Sequence, residues 1–334
     1  MSKFKIVFVD DVMPITDVEK DIIHGFGCEI TQHSAFTTEE ILSVAADADA
    51  IITVSGKFNR ATIDGLKNCK VISRFGQGFD NVDVKAATEK GIVVTYVPIY
   101  CREEVATLAL TLMLACERRL LIADKTVKGG HWVNAAKSVA GARSVSAKTL
   151  GLIGLGSIQK QLVSYLKPFG AKIVAYDPYI NREFCAANGI EPVEKDELLK
   201  MSDTVFLQVP LMESTFHMIA EKELAEMKDG AILINTGRGA LVDQLALTEA
   251  LKSGKLAAAG LDVLEFEPPR GDEEIFRMDN VITSGHIGAA TAEALIRLRT
   301  AVAQNVVDVL SGKKPTLDYA GIANPDVLKN VTLA

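Results

Sequence analysis

Cysteine is scarce in this sequence and follows neither a disulfide nor a metal-binding pattern. No two cysteines form a CxxC pair, and the five residues are Cys28, Cys69, Cys101, Cys116 and Cys185. An odd number at irregular spacing predicts neither a disulfide framework nor a zinc site, and the histidines show no metal-ligand spacing either. This usage fits a reducing compartment, so we expect a cytoplasmic protein without a metal centre.

Positive charge and long apolar runs are also lacking. The chain carries 36 Lys and Arg against 43 Asp and Glu, a net charge of −7, and no dense basic patch. Nucleic acids and anionic membranes favour basic patches, so neither is expected as a partner. The apolar run 105–116 ends at the charged residues 117–119, which makes it too short to span a bilayer. The N-terminal MSKFKIVFVDD is typical of a strand, not of a signal peptide.

The sequence does contain a regular alternation of short apolar runs and helical patterns. Its 334 residues, 48% of them hydrophobic, suffice for two domains of about 150 residues. The alternation predicts an α/β fold of parallel sheets with helices on their faces. In the first part, strands are predicted at 3–9, 28–33, 50–54, 70–74 and 92–95. A long buried helix is predicted over 103–123, followed by six strands from Leu150 onwards.

Residues 149–177 are typical of a dinucleotide-binding β-turn-α-β unit. The first glycine of the turn, Gly154, permits a sharp bend, and the second, Gly156, lets the backbone approach a pyrophosphate. The helix that begins there offers unpaired N–H groups to the phosphates. Asp177, 21 residues after Gly156, can accept hydrogen bonds from a ribose diol. Because a 2′-phosphate would meet this carboxylate, NAD is predicted over NADP.

One position departs from the G-x-G-x-x-G pattern, since Gln159 stands where the third glycine is expected. That glycine serves close packing of the helix on the strand. We therefore expect Gln159 to displace the helix slightly, or to need a small neighbour, and to weaken NAD affinity. The alternative is an ordinary βαβ turn that binds no nucleotide.

Three polar residues downstream fit hydride-transfer chemistry, in which the cofactor carries the hydride and the protein supplies an acid/base and a cation. His286 lies in a glycine-flanked loop and can exchange a proton near neutral pH. Glu267 follows a strand end and can favour the protonated form of that imidazole. Arg238, between two glycines, can grip a carboxylate with two hydrogen bonds. Taken singly, each residue also has a structural interpretation.

Together, the motifs GLIGLGSI, AYD, NTGRG, GLDV with a following EP, and GHIG resemble the D-isomer-specific 2-hydroxyacid dehydrogenases, which include phosphoglycerate and glycerate dehydrogenases. The resemblance covers nearly the whole chain. Arg238, Glu267 and His286 fall on that family's Arg, Glu and His, at spacings of 29 and 19 residues. The sequence of residues 100–106 is similar to that of the branch that contains the C-terminal-binding corepressors.

The resemblance implies two Rossmann-like or flavodoxin-like, doubly wound parallel-sheet domains. Residues 1–101 and 292–334 would form the substrate-binding domain, and residues 102–291 an inserted NAD-binding domain. Ser55, Gly56 and Gly78 would bind the substrate carboxylate beside Arg238, and the region 103–142 would form a homodimer interface. The residues implied to line the cofactor are Thr107, Gly154, Gly156, Ser157, Ile158, Asp177, Val209, Pro210, Thr215, Thr236, Asp262, His286 and Gly288.

The implied activity is NAD-dependent interconversion of a D-2-hydroxy acid and its 2-oxo acid, with His286 as the acid/base. The alternative is an NAD(H)-sensing, corepressor-like binding protein with little catalysis. A formate- or phosphite-type dehydrogenase is a less favoured alternative. Glu267 counts against a formate dehydrogenase, in which glutamine is usual at this position. Gln208 stands where many members have histidine, and Gly285 where proline commonly precedes the histidine. Only Lys57 is basic around Ser55, which weakens the case for a phosphorylated substrate.

Overall fold

Two β-sheets carry the fold, one in each of the two units into which the chain divides. The structure is a computed structural model that describes residues 3–334. The first unit contains Met1–Tyr100 and Thr291–Ala334, and the second contains Cys101–Ala290. In both units strands alternate with helices, so the predicted α/β class is confirmed.

The elements follow one another regularly along the chain. The strands are β1 (Lys5–Phe8), β2 (Glu29–Gln32), β3 (Ala50–Thr53), β4 (Val71–Arg74), β5 (Val93–Tyr96), β6 (Thr149–Ile153), β7 (Lys172–Tyr176), β8 (Ile190–Pro192), β9 (Thr204–Leu207), β10 (Ala231–Asn235), β11 (Leu256–Leu261), β12 (Val281–Thr283) and β13 (Gly321–Ile322). The α-helices are α1 (Asp17–Gly25), α2 (Thr38–Ala45), α3 (Arg60–Gly65), α4 (Val84–Glu89), α5 (Arg102–Glu117), α6 (Leu120–Lys128), α7 (Ala135–Ser138), α8 (Ser157–Leu166), α9 (Arg182–Asn188), α10 (Lys195–Met201), α11 (Glu221–Glu226), α12 (Gln244–Lys252) and α13 (Ala292–Leu310).

The sheet of the first unit has the order β13-β5-β4-β3-β1-β2. Strands β1 to β5 pair in parallel, in the flavodoxin-like order. The short β13 adds to β5 in the antiparallel sense. Every residue of β3 is buried, which explains why its sequence is a continuous apolar run without alternation.

The sheet of the second unit has the order β12-β11-β10-β9-β6-β7-β8, and all its pairs are parallel. This is the Rossmann order with a seventh strand at one edge. The order reverses at β6, which lies between β7 and β9. Open α/β sheets bind ligands outside the carboxyl ends of the strands at such a reversal. Strand β6 ends at Ile153, directly before the glycine turn.

The single helix predicted over 103–123 is wrong, because the chain forms α5 and α6 with a break between them. Arg119 takes the left-handed conformation, with φ of 46°. Before the break, the buried Glu117 pairs with Lys148, and its Oε1 accepts a hydrogen bond from Thr204 Oγ1 at 2.7 Å. These contacts fix the end of α5 to β9. After the break, Leu120 is 57% exposed, so the apolar pattern did not mark one continuous buried helix.

The second sheet has seven strands where six were predicted. The strand that was not predicted there is β8, and β13 of the first sheet was not predicted either. They span three and two residues, which is too few to show an alternating apolar pattern. Among residues 3–334, no helix combines the length and apolar character needed to cross a membrane. The same residues contain no cluster of His, Cys, Asp and Glu suited to a metal ion.

Candidate active site

The candidate acid/base pair is formed by two loops that follow neighbouring strands of the second sheet. His286 follows β12 and Glu267 follows β11. His286 Nδ1 lies 2.6 Å from Glu267 Oε2, and Glu267 Oε1 accepts a hydrogen bond from the Leu264 N–H at 3.0 Å. Since Nδ1 is engaged, Nε2 is the ring nitrogen placed to exchange a proton with a substrate. The His286 side chain is 52% exposed, so the ring is open to ligands.

Glu267 is held in its ionised form. Partial burial of this carboxyl opposes ionisation, but the hydrogen bond and charge of His286, the Leu264 N–H and the charge of Arg238 outweigh it. The pKa of Glu267 therefore lies below its ordinary value of 4.5. A negatively charged partner for His286 is present throughout the neutral range.

The loop that carries His286 is fastened by the buried Asp262. One carboxylate oxygen, Oδ1, accepts hydrogen bonds from Ser284 Oγ at 2.7 Å and the Ile287 N–H at 2.9 Å. The other, Oδ2, accepts one from the Gly288 N–H at 2.9 Å. The His286 N–H donates to the Asp262 carbonyl at 2.5 Å, and His286 has a φ of 59°. Residues other than glycine rarely adopt a positive φ, so these contacts are needed to hold the backbone of His286, and with it the imidazole, in place.

Two glycines have specific structural reasons in these loops. Gly285 has a φ of 73°, which a proline could not adopt, so the departure from the family's proline matches the local backbone. Gly239 lies so close to the Glu267 loop that a Cβ atom there would be 1.8 Å from the Leu264 carbonyl oxygen. The absence of a side chain at Gly239 lets the loop after β10, which carries Arg238, pack against the loop that carries Glu267.

Arg238 is oriented by its own loop. Asn235 at the end of β10 accepts a hydrogen bond from the Gly237 N–H at 3.0 Å and donates to the Arg238 carbonyl at 2.9 Å. The guanidinium donates to the Gly237 carbonyl through Nη1 at 2.9 Å. Its charge also contributes to the lowered pKa of Glu267. The structure thus brings the three predicted catalytic residues together in one group of loops.

The glycine turn after β6 has the geometry of a phosphate cradle. Gly154 has a φ of 88°, and a Cβ there would lie 2.4 Å from the Gln208 carbonyl oxygen. Gly156, which precedes Ser157 at the start of α8, faces open space, so a ligand can approach its backbone. Asp177 accepts hydrogen bonds from the Leu155 N–H at 2.7 Å and the Tyr179 N–H at 2.8 Å. Its bracing of the turn is a role that sequence reasoning missed.

Gln159 is 1% exposed and packs under the same turn. Its Nε2 is 3.4 Å from the Phe206 carbonyl oxygen, and its Oε1 has no partner among the described residues. The side chain therefore occupies the position where the family pattern expects a glycine, and its buried amide makes only one long hydrogen bond.

The loop after β9 carries the other residues implied to line the cofactor. Thr215 Oγ1 accepts a hydrogen bond from the Met212 N–H and donates to the Pro210 carbonyl, both at 2.8 Å, which closes the segment that begins at Val209. Gln208 accepts a hydrogen bond from Thr236 Oγ1 at 2.6 Å, a contact that the sequence did not indicate. Elsewhere in the second unit, Ile158 is buried in α8, and Thr107 is exposed on α5 with Oγ1 bonded to the Glu103 carbonyl.

In the first unit, the backbone N–H groups of the Ser55 loop converge on an internal carboxylate. Asp10 is fully buried, and its Oδ2 accepts hydrogen bonds from the N–H groups of Val54, Ser55 and Gly56 at 2.8, 3.1 and 3.2 Å. Gly78 lies half-buried in the loop after β4. Sequence reasoning missed Asp10, although an acidic residue just after β1 is a signal for a group at this edge of the sheet.

Known proteins resemble this chain in sequence. Residues 110–288 match the sequence model described as the D-isomer specific 2-hydroxyacid dehydrogenase, NAD binding domain. A D-3-phosphoglycerate dehydrogenase of Methanocaldococcus jannaschii is 44% identical over 287 residues, which are 85% of this chain and 54% of the relative. A glyoxylate reductase of Thermococcus litoralis is 40% identical over 296 residues, covering 86% of this chain and 87% of the relative. The chain spans about half the length of the phosphoglycerate dehydrogenases it matches.

Solved structures resemble it in fold. A D-lactate dehydrogenase from Aquifex aeolicus, complexed with NAD and lactic acid, superposes with a TM-score of 0.84 at 27% sequence identity. That match covers 98% of this chain and 99% of the other. The relatives carry the names of reductases and dehydrogenases, which does not favour the corepressor alternative. Sequence, fold and the matched domain agree, and the chain belongs to the D-isomer-specific 2-hydroxyacid dehydrogenase family.

Proposed function

We propose that this protein is an NAD-dependent oxidoreductase that interconverts a D-2-hydroxy acid and its 2-oxo acid. The observation that carries the proposal is the 2.6 Å contact between His286 Nδ1 and Glu267 Oε2, with Arg238 on the adjoining loop. This arrangement supplies a proton donor and acceptor, an anionic support and a cation for a carboxylate. These are the groups that a nicotinamide enzyme must provide.

The second unit, 101–290, is proposed to hold NAD. Gly154 and Gly156 leave room for a pyrophosphate at the start of α8, and Asp177 presents carboxylate oxygens that suit a ribose diol. The further residues proposed to line the cofactor are Thr107, Ser157, Ile158, Val209, Pro210, Thr215, Thr236, Asp262, His286 and Gly288. When bound, NAD supplies or accepts the hydride.

The residues of the chain supply the remaining chemistry. In reduction, His286 gives the proton on Nε2 to the carbonyl oxygen of the substrate, and in oxidation it takes a proton from the hydroxyl. Glu267 stabilises the imidazolium through Nδ1. Arg238 binds the substrate carboxylate with its planar fork, which orients the oxo group toward His286.

The first unit is proposed to be the substrate-binding unit. Ser55, Gly56 and Gly78 remain proposed contacts of the substrate carboxylate. The N–H groups of Ser55 and Gly56 already donate to Asp10, so any bond they make to a substrate would be shared. Among residues 54–57 of this loop, Lys57 is the only basic one, which favours an unphosphorylated 2-oxo acid. Relatives named glyoxylate reductase and hydroxypyruvate reductase support that substrate class.

A homodimer and a cytoplasmic location are proposed as well. Large apolar side chains in the region 103–142 are exposed, with Trp132 at 76%, Val133 at 83% and Leu120 at 57%. Exposed apolar side chains, where they cluster, mark surfaces that another protein covers. Four of the five cysteines are buried, and no two of the described cysteines are joined by a disulfide, which suits a reducing compartment.

The test is a screen of the purified protein with glyoxylate, hydroxypyruvate, pyruvate and phosphohydroxypyruvate. NADH consumption is the readout, NADPH is the cofactor control, and chiral analysis identifies the product. We expect turnover with NADH to a D-hydroxy acid. His286→Ala should lower kcat by about 10²- to 10⁴-fold, the usual contribution of a general acid/base. Turnover by His286→Ala near that of the unsubstituted protein would overturn the assignment.

A further inference from the structure

A second histidine–glutamate pair joins the loop that carries Glu267 to the loop after β9. His217 Nε2 is 2.9 Å from Glu265 Oε1. The other oxygen of Glu265 accepts a hydrogen bond from the Gln244 N–H at 3.1 Å, and the Glu265 N–H donates to Gln244 Oε1 at 3.3 Å. The side chains of His217 and Glu265 are 27% and 14% exposed. Both oxygens of Glu265 are therefore used, and the pair is largely shielded from water.

The backbone at His217 is held in an unfavourable conformation. Its φ is 48°, in the left-handed region that residues with a Cβ atom seldom adopt. The His217 N–H donates to the Ala240 carbonyl at 2.9 Å, and the ring stacks on Phe216 with centroids 4.0 Å apart. Such strain persists only where surrounding contacts over-determine it, and it often accompanies function.

The two partners belong to loops with different proposed tasks. His217 closes the loop after β9, which contains the proposed cofactor residues 209–215. Glu265 lies two residues before Glu267, the partner of His286. The contact of His217 with Glu265 therefore joins the segment proposed to hold the cofactor to the segment that holds the acid/base.

We propose that His217 and Glu265 are a positioning pair, which sets the segment 209–215 against the acid/base loop 264–267. The inference rests on the proposed function of those two segments. His217 donates through Nε2 to the Glu265 carboxylate, because a carboxylate can only accept. Neither residue is required to touch the substrate or to transfer a proton.

The test uses two amide substitutions that differ in reach. His217→Gln keeps a donor at about the distance of Nε2, whereas His217→Asn is too short to reach Glu265. Asn tolerates the left-handed conformation, so His217→Asn does not add backbone strain. Glu265→Ala and the double variant complete a cycle. His24→Asn, at an exposed histidine of the first unit, is the matched control.

We expect His217→Asn and Glu265→Ala each to lower kcat/KM for NADH and for the oxo acid by about tenfold, as for a lost hydrogen bond to a charged group. The double variant should lose no more than either single variant, and His217→Gln should recover most of the loss. The pH at half-maximal rate should stay unchanged. A shifted pH profile would place His217 in proton transfer, and additive losses would show that the two side chains act separately; either result overturns the proposal.

Hydrogen–deuterium exchange of the ligand-free protein gives a readout that does not depend on turnover. Each single variant should speed exchange in both 209–218 and 263–267. Faster exchange only in the substituted loop would overturn the proposal, even if no 2-oxo acid is reduced. A protein that turns over normally in all variants would also overturn it while leaving the proposed function intact. If His217→Asn fails to fold, Glu265→Gln, which keeps an acceptor without the charge, should show a smaller change in the same parameters.

Discussion

At the residue scale, the reactivity of His286 depends on the charge of Glu267. The lowered pKa of Glu267 keeps a carboxylate beside Nδ1, and this charge stabilises the imidazolium. Glu267→Gln retains the shape and removes the charge. The protonated ring should then be less favoured, so the alkaline limb of the reduction profile should move to lower pH.

The measurement for Glu267→Gln is the initial rate of NADH oxidation between pH 5 and 10 at saturating oxo acid. The maximal rate should also fall, because a neutral amide stabilises the protonated ring less than a carboxylate does. Glu249→Gln, at an exposed surface glutamate, is the control and should leave the profile in place. An unchanged profile for Glu267→Gln would remove this residue from the acid/base role.

Residue chemistry could be predicted from the sequence more readily than residue geometry. His286, Glu267 and Arg238 were identified because each has a charge or proton function and stands after an apolar run. The carboxylates of Asp262 and Asp10 instead serve backbone N–H groups of neighbouring loops. A hydrogen bond between loops depends on sheet order, which no local pattern records.

At the scale of elements, apolar periodicity located strands β1 to β5 within about two residues. It worked because strands such as β3, β9 and β10 are buried along their whole length. It failed at the break between α5 and α6, where apolar residues continue on both sides. It also failed at β8 and β13, which depend on neighbouring strands and not on their own composition.

The packing of one loop on another gives a prediction at this scale. A Cβ at position 239 would be 1.8 Å from the Leu264 carbonyl oxygen, so Gly239→Ala must push the Arg238 loop away from the Glu267 loop. A displacement of about 1 Å can cost about 10²-fold in rate, and we expect a fall in kcat/KM for the oxo acid of that size.

The affinity of Gly239→Ala for NADH, measured by fluorescence titration, should change far less than the rate does. The reason is that the glycine turn at 154–156 lies on another loop. Gly25→Ala, where a Cβ meets nothing within 4 Å, is the matched control. Wild-type kcat/KM in Gly239→Ala would mean that the contact between these loops does not set the geometry of the site.

At the scale of the whole molecule, acid should weaken the second unit through its paired carboxylates. Asp203 is 14% exposed and accepts a hydrogen bond from the Thr149 N–H at 2.7 Å, beside Arg143 and Lys228. Glu223 is 15% exposed and pairs with Lys195. Burial opposes ionisation of both, but these partners outweigh it, and the pKa values lie below the ordinary 3.8 and 4.5. Together with Glu267, these partly buried carboxylates all lie in residues 101–290.

A carboxylate with a lowered folded-state pKa contributes stability that is fully present above its unfolded pKa and is lost as pH falls through the folded value. The free energy of unfolding of the second unit should therefore be nearly constant from pH 7 to pH 5 and fall below about pH 4. Asp203→Asn should be less stable than the unsubstituted protein at pH 7. The loss of one titrating group should reduce the acid slope by up to about 1.4 kcal/mol per pH unit, so the two curves should approach each other as pH falls through the folded-state pKa of Asp203. Segment-resolved hydrogen exchange on the full chain measures this, and parallel curves at all pH values would show that Asp203 stabilises the fold by something other than its charge.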